Sequence, residues 1–219
     1  MISQSQSRSL ALLPEHDLRK TGPVDEADWN YRPVLNYISR QRFELVLELL
    51  DETPANDLLE IGYGSGVFAP ELARRAKALW GIDIHPFHAG VTQTLARHGI
   101  RAQLTTGSIE HTPYPDDSFD VAVAVSALEF VADLDATCVE LQRILRPGGV
   151  LVAVAPQSSR VLDALLFAAT RERAAANYEN RRELLFPTLE RYFTIERHAT
   201  FPDWTPVGIY RAVRMRPRT

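Results

Sequence analysis

One cysteine in 219 residues, Cys138, leaves no intramolecular disulfide and no cysteine-based metal cluster to build. It falls on an apolar helix face with Leu134, Leu141 and Leu145, so it is expected as a small buried hydrophobe rather than a nucleophile. The chain also lacks any apolar run near the ~20 residues that a bilayer-spanning helix needs. Its first stretch, MISQSQSRSLALLPEHD, has only the short apolar patch Leu10 to Leu13 and no cleavage-site pattern, so no signal peptide and no membrane insertion are expected. Positive charge is in short supply as well. Lys and Arg number 24 against 28 Asp and Glu, a formal net charge of −4, so no overall basic field gathers nucleic acid. The basic residues that do cluster (Arg211, Arg214, Arg216 and Arg218) mostly follow i, i+2 spacing, which suits the solvated face of a final strand and a polar tail. Internal repeats and low-complexity linkers are missing too. A cytoplasmic, single-domain protein is the expectation.

What is present is an ordinary globular composition, 45% hydrophobic and 24% charged, with a regular alternation of element types. Residues 1 to about 33 are polar and turn-rich, and they form an N-terminal extension. The spacing of Phe43, Val46, Leu47 and Leu50 predicts a helix from about Leu35 to Leu50. A short buried strand is expected at Asp57 to Ile61, a helix over Val67 to Lys77 and a strand over Ala78 to Asp83. Then come a helix between Pro86 and Gly99, a strand over Ala102 to Thr106 and a strongly apolar strand over Phe119 to Val125. Asp133 caps a helix ending near Leu145, and Pro147-Gly148-Gly149 turns into a strand over Val150 to Val154. Helical stretches near Val161 to Ala176 and Arg181 to Leu189 precede two closing strands, near Phe193 to Ala199 and Val207 to Val213. Short β-branched runs alternating with helices predict an α/β fold, a mainly parallel sheet with helices on both faces.

The glycine-rich turn after the first strand reads Glu60-Ile61-Gly62-Tyr63-Gly64-Ser65-Gly66. Glycines there let backbone N–H groups approach a ligand with no Cβ in the way. Asp83 lies 21 residues after Gly62 at the end of the next strand, close to the spacing that puts a carboxylate on ribose hydroxyls. The dinucleotide fingerprint G-x-G-x-x-G would need a glycine at 67, where Val67 stands. Glu60, two residues before the first glycine, disfavours a pyrophosphate and favours a cationic ligand end. A nicotinamide enzyme is therefore the weaker reading.

Four blocks in order carry a family resemblance: Leu58 to Gly66; Trp80-Gly81-Ile82-Asp83; Gly107-Ser108-Ile109-Glu110 with Tyr114-Pro115-Asp116-Asp117-Ser118-Phe119-Asp120; and Leu141 to Gly149. Together they cover about residues 56 to 156. The chain resembles the class I S-adenosylmethionine (SAM)-dependent methyltransferases, and within them the small-molecule group that includes the ubiquinone- and menaquinone-pathway enzymes. The resemblance implies a Rossmann-like seven-stranded sheet, mostly parallel, with an antiparallel C-terminal hairpin. It makes residues 34–219 the methyltransferase domain and residues 1–33 a lid. It implies SAM as cofactor, held along Glu60, Gly62, Tyr63, Gly64, Gly66, Asp83, Ile84, Ser108, Ile109 and Ser126. The expected activity is methyl transfer to a small-molecule acceptor by in-line displacement, with no metal. Ser108 departs from the family's pattern, where an aspartate accepts from the adenine amino group. That departure keeps a second reading in play, a non-catalytic SAM-binding or regulatory protein of the same fold. Should an acceptor proton have to leave, Glu129 (past the end of the fourth strand) and His111 (after the adenine loop) are the candidate helpers. Trp29 and Tyr31 are candidate cleft contacts from the extension. His85 and His88 are expected only as residues at a helix start. Nucleic-acid or protein methylation is disfavoured by the acidic balance and by Val125-Ser126-Ala127-Leu128, where an Asn-Pro-Pro-Tyr type motif would stand.

Overall fold

The computed structural model describes residues 10–22, 25, 27–33, 35–51, 54–157, 181–204 and 208–218. Seven strands form one sheet: β1 (Ala55–Ile61), β2 (Ala76–Asp83), β3 (Ala102–Thr106), β4 (Phe119–Val125), β5 (Leu145–Pro156), β6 (Phe193–Phe201) and β7 (Tyr210–Pro217). Their order is β3-β2-β1-β4-β5-β7-β6. Strands β1 to β5 pair in parallel, whereas β7 runs antiparallel to both β5 and β6. The strand order reverses direction between β1 and β4, and in open α/β sheets ligands lie beyond the carboxyl ends of the strands at that switch.

Among the described residues five α-helices flank the sheet: α1 (Leu35–Leu49), α2 (Ala69–Leu72), α3 (His88–Arg97), α4 (Leu134–Ile144) and α5 (Arg181–Tyr192). Alternate side chains along each strand feed opposite faces, so two cores form. On one face Cys138, Leu141 and Ile144 of α4 and Leu185 and Leu189 of α5 join Leu59, Ala122, Ala124 and Leu151. On the other, Phe43, Val46 and Leu49 of α1, Leu72 of α2, and Val91 and Leu95 of α3 join Leu58, Val123 and Val152. Past Asp120, strand β4 can be apolar at successive positions because both of its faces are covered. Helix α4 begins where expected, the Asp133 carboxylate accepting from the Ala136 amide at 2.9 Å. Gly99 follows α3 in the left-handed region, with φ of +72°.

Several boundaries differ from expectation, each because a tertiary constraint overrides local preference. The helix over Val67 to Lys77 is a single turn, α2, because β1 and β2 pair from Ala55↔Ala76 and claim Ala76 and Lys77 for the sheet. Strand β5 starts at Leu145 and passes through Pro147-Gly148-Gly149, with a register shift opposite Phe119 to Val121. Arg214 is not on a solvated face. It is 6% exposed, and its guanidinium bonds Glu196, Asp51 and the Leu49 carbonyl. The stretch Val161 to Ala176 lies outside the described residues.

At the end of the sheet away from the switch-point crevice, Arg146 bridges Asp57 at 2.9 Å and Asp120 at 3.0 Å. Asp120 also accepts from the amides of Asn56 and Asp57, which ties β4 to the start of β1.

Leu141, with none of its surface exposed, packs α4 on the sheet, whereas Val139 on the same helix is 55% exposed. Urea denaturation of Leu141→Ala should show a loss of ~2–5 kcal/mol, the usual range for deleting a buried leucine side chain. Val139→Ala should stay within ~0.5 kcal/mol of the parent.

Candidate functional site

Strand β1 ends at Ile61, and the chain turns through three left-handed glycines, Gly62 (φ +71°), Gly64 (φ +50°) and Gly66 (φ +76°). Their reasons differ. A Cβ on residue 62 would sit 2.6 Å from the Ala127 Cβ, so the loop passes hard against the end of β4. A Cβ on residue 66 would meet Val91 of α3 at 3.0 Å, so that glycine serves packing and does not line the cavity.

Gly64 is held from both sides. Its amide donates to Asp83 Oδ2 at 2.8 Å, and its carbonyl lies 2.9 Å from His85 Nε2. The Phe87 amide donates to His85 Nδ1 at 3.1 Å, which puts the ring hydrogen on Nε2, donated to Gly64. His85 is buried, edge-on to Tyr63 with ring centres 4.8 Å apart. Tyr63 in turn lies on Gly81, where a Cβ would come within 2.8 Å of its ring.

Loop and strand ends enclose a cavity of about 660 Å³, in the range of small-molecule sites. Glu60, Gly62, Tyr63, Gly64, Asp83, Ile84, Ser108, Ile109 and Ser126 all line it, so nine of the ten residues expected to bind a cofactor converge there. Glu60 is 5% exposed, and burial, reinforced by the Asp83 charge, pushes its carboxyl up to about 8. A cation in the cavity would reverse that shift. Ser126 is held at φ +50°, an uncommon conformation for a non-glycine residue, and its buried hydroxyl has no partner among the described residues. The Ser65 hydroxyl is likewise buried and unpartnered there. Orphaned polar atoms beside a cavity fit a polar ligand.

Other expected contacts fall elsewhere. Trp29 and Tyr31 do not line the cavity; the Tyr31 hydroxyl donates to the Leu13 carbonyl and so anchors the N-terminal segment. That segment contributes Thr21, Gly22, Asp25 and Ala27 to the cavity wall instead. It is docked, with Leu13 buried and its amide bonded to the Val67 carbonyl. His111 is exposed and absent from the lining. Glu129 does not line the cavity either. It lies behind it, 2% exposed, with one carboxylate oxygen unpartnered among the described residues and burial pushing its carboxyl up to about 7. Sequence reasoning missed His85 as a brace and Arg42, Phe43 and Glu110 as lining residues. Only the position of His85, two residues past Asp83, hinted at its part.

A Rossmann-like sheet with a reversed last strand, a glycine loop and an acid at the end of β2 defines a methyltransferase-type fold. Residues 59–153 match the family described as Methyltransferase domain. It is 29% identical over 115 residues to a malonyl-[acyl-carrier protein] O-methyltransferase of Serratia marcescens, covering 52% of this chain and 44% of that one. It is 32% identical over 107 residues to a demethylmenaquinone methyltransferase of Tropheryma whipplei, covering 48% and 44%. The chain thus spans less than half the length of these curated relatives. The N-methyltransferase NodS of Bradyrhizobium japonicum, solved with S-adenosyl-L-homocysteine (SAH), shares the fold, with a TM-score of 0.63, 20% identity and coverage of 90% and 94%.

Gly62→Ala combines a positive φ with a clash against Ala127. It should lower stability by about 2–5 kcal/mol, the sum of left-handed strain and overpacking. Chemical denaturation of that variant beside the parent measures it.

Proposed function

We propose that the chain binds SAM in this cavity and transfers its methyl group to a small-molecule acceptor. The observation that carries the reading is the buried Glu60 beside the glycine loop: an acid at that depth calls for a cationic ligand end, and an amino-acid ammonium supplies one. The match over residues 59–153 and the SAH-bound neighbour support the same cofactor. Bound there, the cofactor would supply a methyl group already activated as a sulfonium. What remains for the chain is alignment and exclusion of water. Glu60 faces the ammonium, Asp83 accepts from the ribose hydroxyls, and the Gly62 to Gly66 turn presents backbone between them. Ile84 and Ile109 flank the purine, and Ser108 and Ser126 add polar contacts. Residues 1–33 act as an extension whose docked part, through Thr21, Gly22 and Asp25, closes the outer wall. Arg42, Phe43, Phe130 and Val131 shape a largely apolar compartment for the acceptor. Glu129, although its carboxyl is pushed up to about 7 by burial, lies outside the lining and so is not placed to take a proton directly from an acceptor in the cavity. His111 is set aside because it is exposed and outside the lining. Cys138, buried with its thiol pushed up to about 12, has no part in the transfer.

Calorimetry should show SAM and SAH binding and no NAD binding; NAD binding without SAM overturns the assignment. Asp83→Ala should weaken SAH by ~1.5–3 kcal/mol, the worth of hydrogen bonds to a charged group. An unchanged affinity removes Asp83 from the ribose. Binding that is never followed by turnover across a metabolite panel would favour the non-catalytic reading.

Glu60 gives a pH signature with a definite sign. Its carboxyl is raised to about 8 in the free protein, so below that a cationic ligand must expel a proton to bind. SAH affinity should therefore rise with pH between 6 and 7.5, by at most ~10-fold per unit, until the ligand's own α-amino group begins to titrate. Glu60→Gln should flatten the profile. A flat profile in the parent protein argues against the Glu60–ammonium contact.

A further inference from the structure

Position 108 lacks the expected aspartate, yet a carboxylate reaches that end of the cavity by another route. The Ser108 hydroxyl donates to Glu110 Oε2 at 2.7 Å, and Ser108 Oγ accepts from the Glu110 amide at 3.2 Å. Glu110 Oε1 accepts from the Asp133 amide at 2.6 Å. A carboxylate offers about four acceptor sites. Two are taken by the Ser108 hydroxyl and the Asp133 amide, which fix the group in place and leave acceptor sites open. Ser108 is in the opposite state: its single hydrogen is spent on Glu110, and its oxygen already accepts a bond. Both residues line the cavity, as do Ile109, Ala132 and Ile84. Ile84 is 79% exposed, an apolar face suited to one side of a flat ring. The Asp133 amide, followed by the Ser108 hydroxyl, holds the Glu110 carboxyl below the usual carboxylate range, so it is ionised at neutral pH.

We propose that Glu110, anchored by Ser108, reads the exocyclic amino group of the adenine, and that Ser108 itself is a positioning residue. This rests on the SAM reading above. An ionised acceptor favours an N–H donor and repels an oxygen at the same ring position. The site therefore discriminates a 6-amino purine from a 6-oxo purine.

Titrating SAH and its 6-oxo analogue, S-inosyl-L-homocysteine, tests this. The parent protein should prefer SAH by about tenfold or more, equivalent to ~1.4 kcal/mol. Glu110→Gln should erase most of that preference, because the amide can turn its NH₂ toward the 6-oxo group. Ser108→Ala removes the anchor of that carboxylate and should weaken the preference, whereas Ser108→Thr, which keeps the hydroxyl, should retain it. If Glu110→Gln keeps the parent's preference, the proposal is overturned. Should Glu110→Gln fail to fold (its carboxylate also accepts from the Asp133 amide), the Ser108 pair decides: a preference weakened in Ser108→Ala and kept in Ser108→Thr supports the proposal, and one unchanged in Ser108→Ala overturns it. Failure of the parent to bind SAH at all is a separate result that overturns the cofactor reading as well.

Discussion

Both polar groups of the Gly64 peptide unit are claimed by side chains from the end of β2. Asp83 takes the N–H and His85 the C=O, at 2.8 and 2.9 Å. This bracket lets a loop of three left-handed residues keep one shape. Glycine makes such a turn possible but does not choose it, since glycine also has the most alternative conformations to lose. The choice comes from the bracket and from Tyr63, whose ring settles on the bare backbone of Gly81. The loop is thereby fixed to β2 as firmly as it is joined to β1. Both Asp83 oxygens are engaged in consequence, Oδ2 by the Gly64 amide and Oδ1 by the His85 amide at 3.2 Å, and the carboxylate still lines the cavity.

The same bracket places two acids around one cavity. Asp83 and Glu60 lie close enough for the first to raise the second, on top of the burial of Glu60. Perturbed carboxyls of this kind gather at functional sites, where instability in the free protein is relieved by the ligand. The left-handed Ser126 and the buried hydroxyls of Ser65 and Ser126 belong to the same pattern. Stability is concentrated elsewhere: in the two cores either side of the sheet, and in the Arg146 bridge between Asp57 and Asp120 at the opposite end.

Features set by short-range chemistry were legible in the sequence. Strand β4 announced itself as apolar at successive positions, α4 through its Asp133 cap, and the site through acid and glycine spacing around the first two strands. Features set by distant partners were not. Nothing local shows that Ala76 and Lys77 belong to a strand, because the pairing with Ala55 decides it. Nothing in Arg211-Ala-Val-Arg214 tells that the second arginine turns inward to Glu196, Asp51 and the end of α1. The part played by Thr21 and Asp25 in place of Trp29 and Tyr31 depends on Leu13 plugging the core, which fixes where the segment crosses. Glu110 was hidden for a similar reason: one of the two donors that hold it, the Asp133 amide, lies more than twenty residues on.

Strand β7 is the last of the seven in sequence but an interior strand in space, lying between β5 and β6. During synthesis, β1 to β5 can assemble as they emerge, each adding to an existing edge. Strand β6 has no neighbour in the sheet until β7 arrives. Until then β5 presents Leu151 to Ala155 as a bare, apolar, unpaired edge, the kind of surface that recruits foreign strands. The final hairpin acts as the stopper that ends that exposure, since β7 pairs with β5 along its whole apolar stretch.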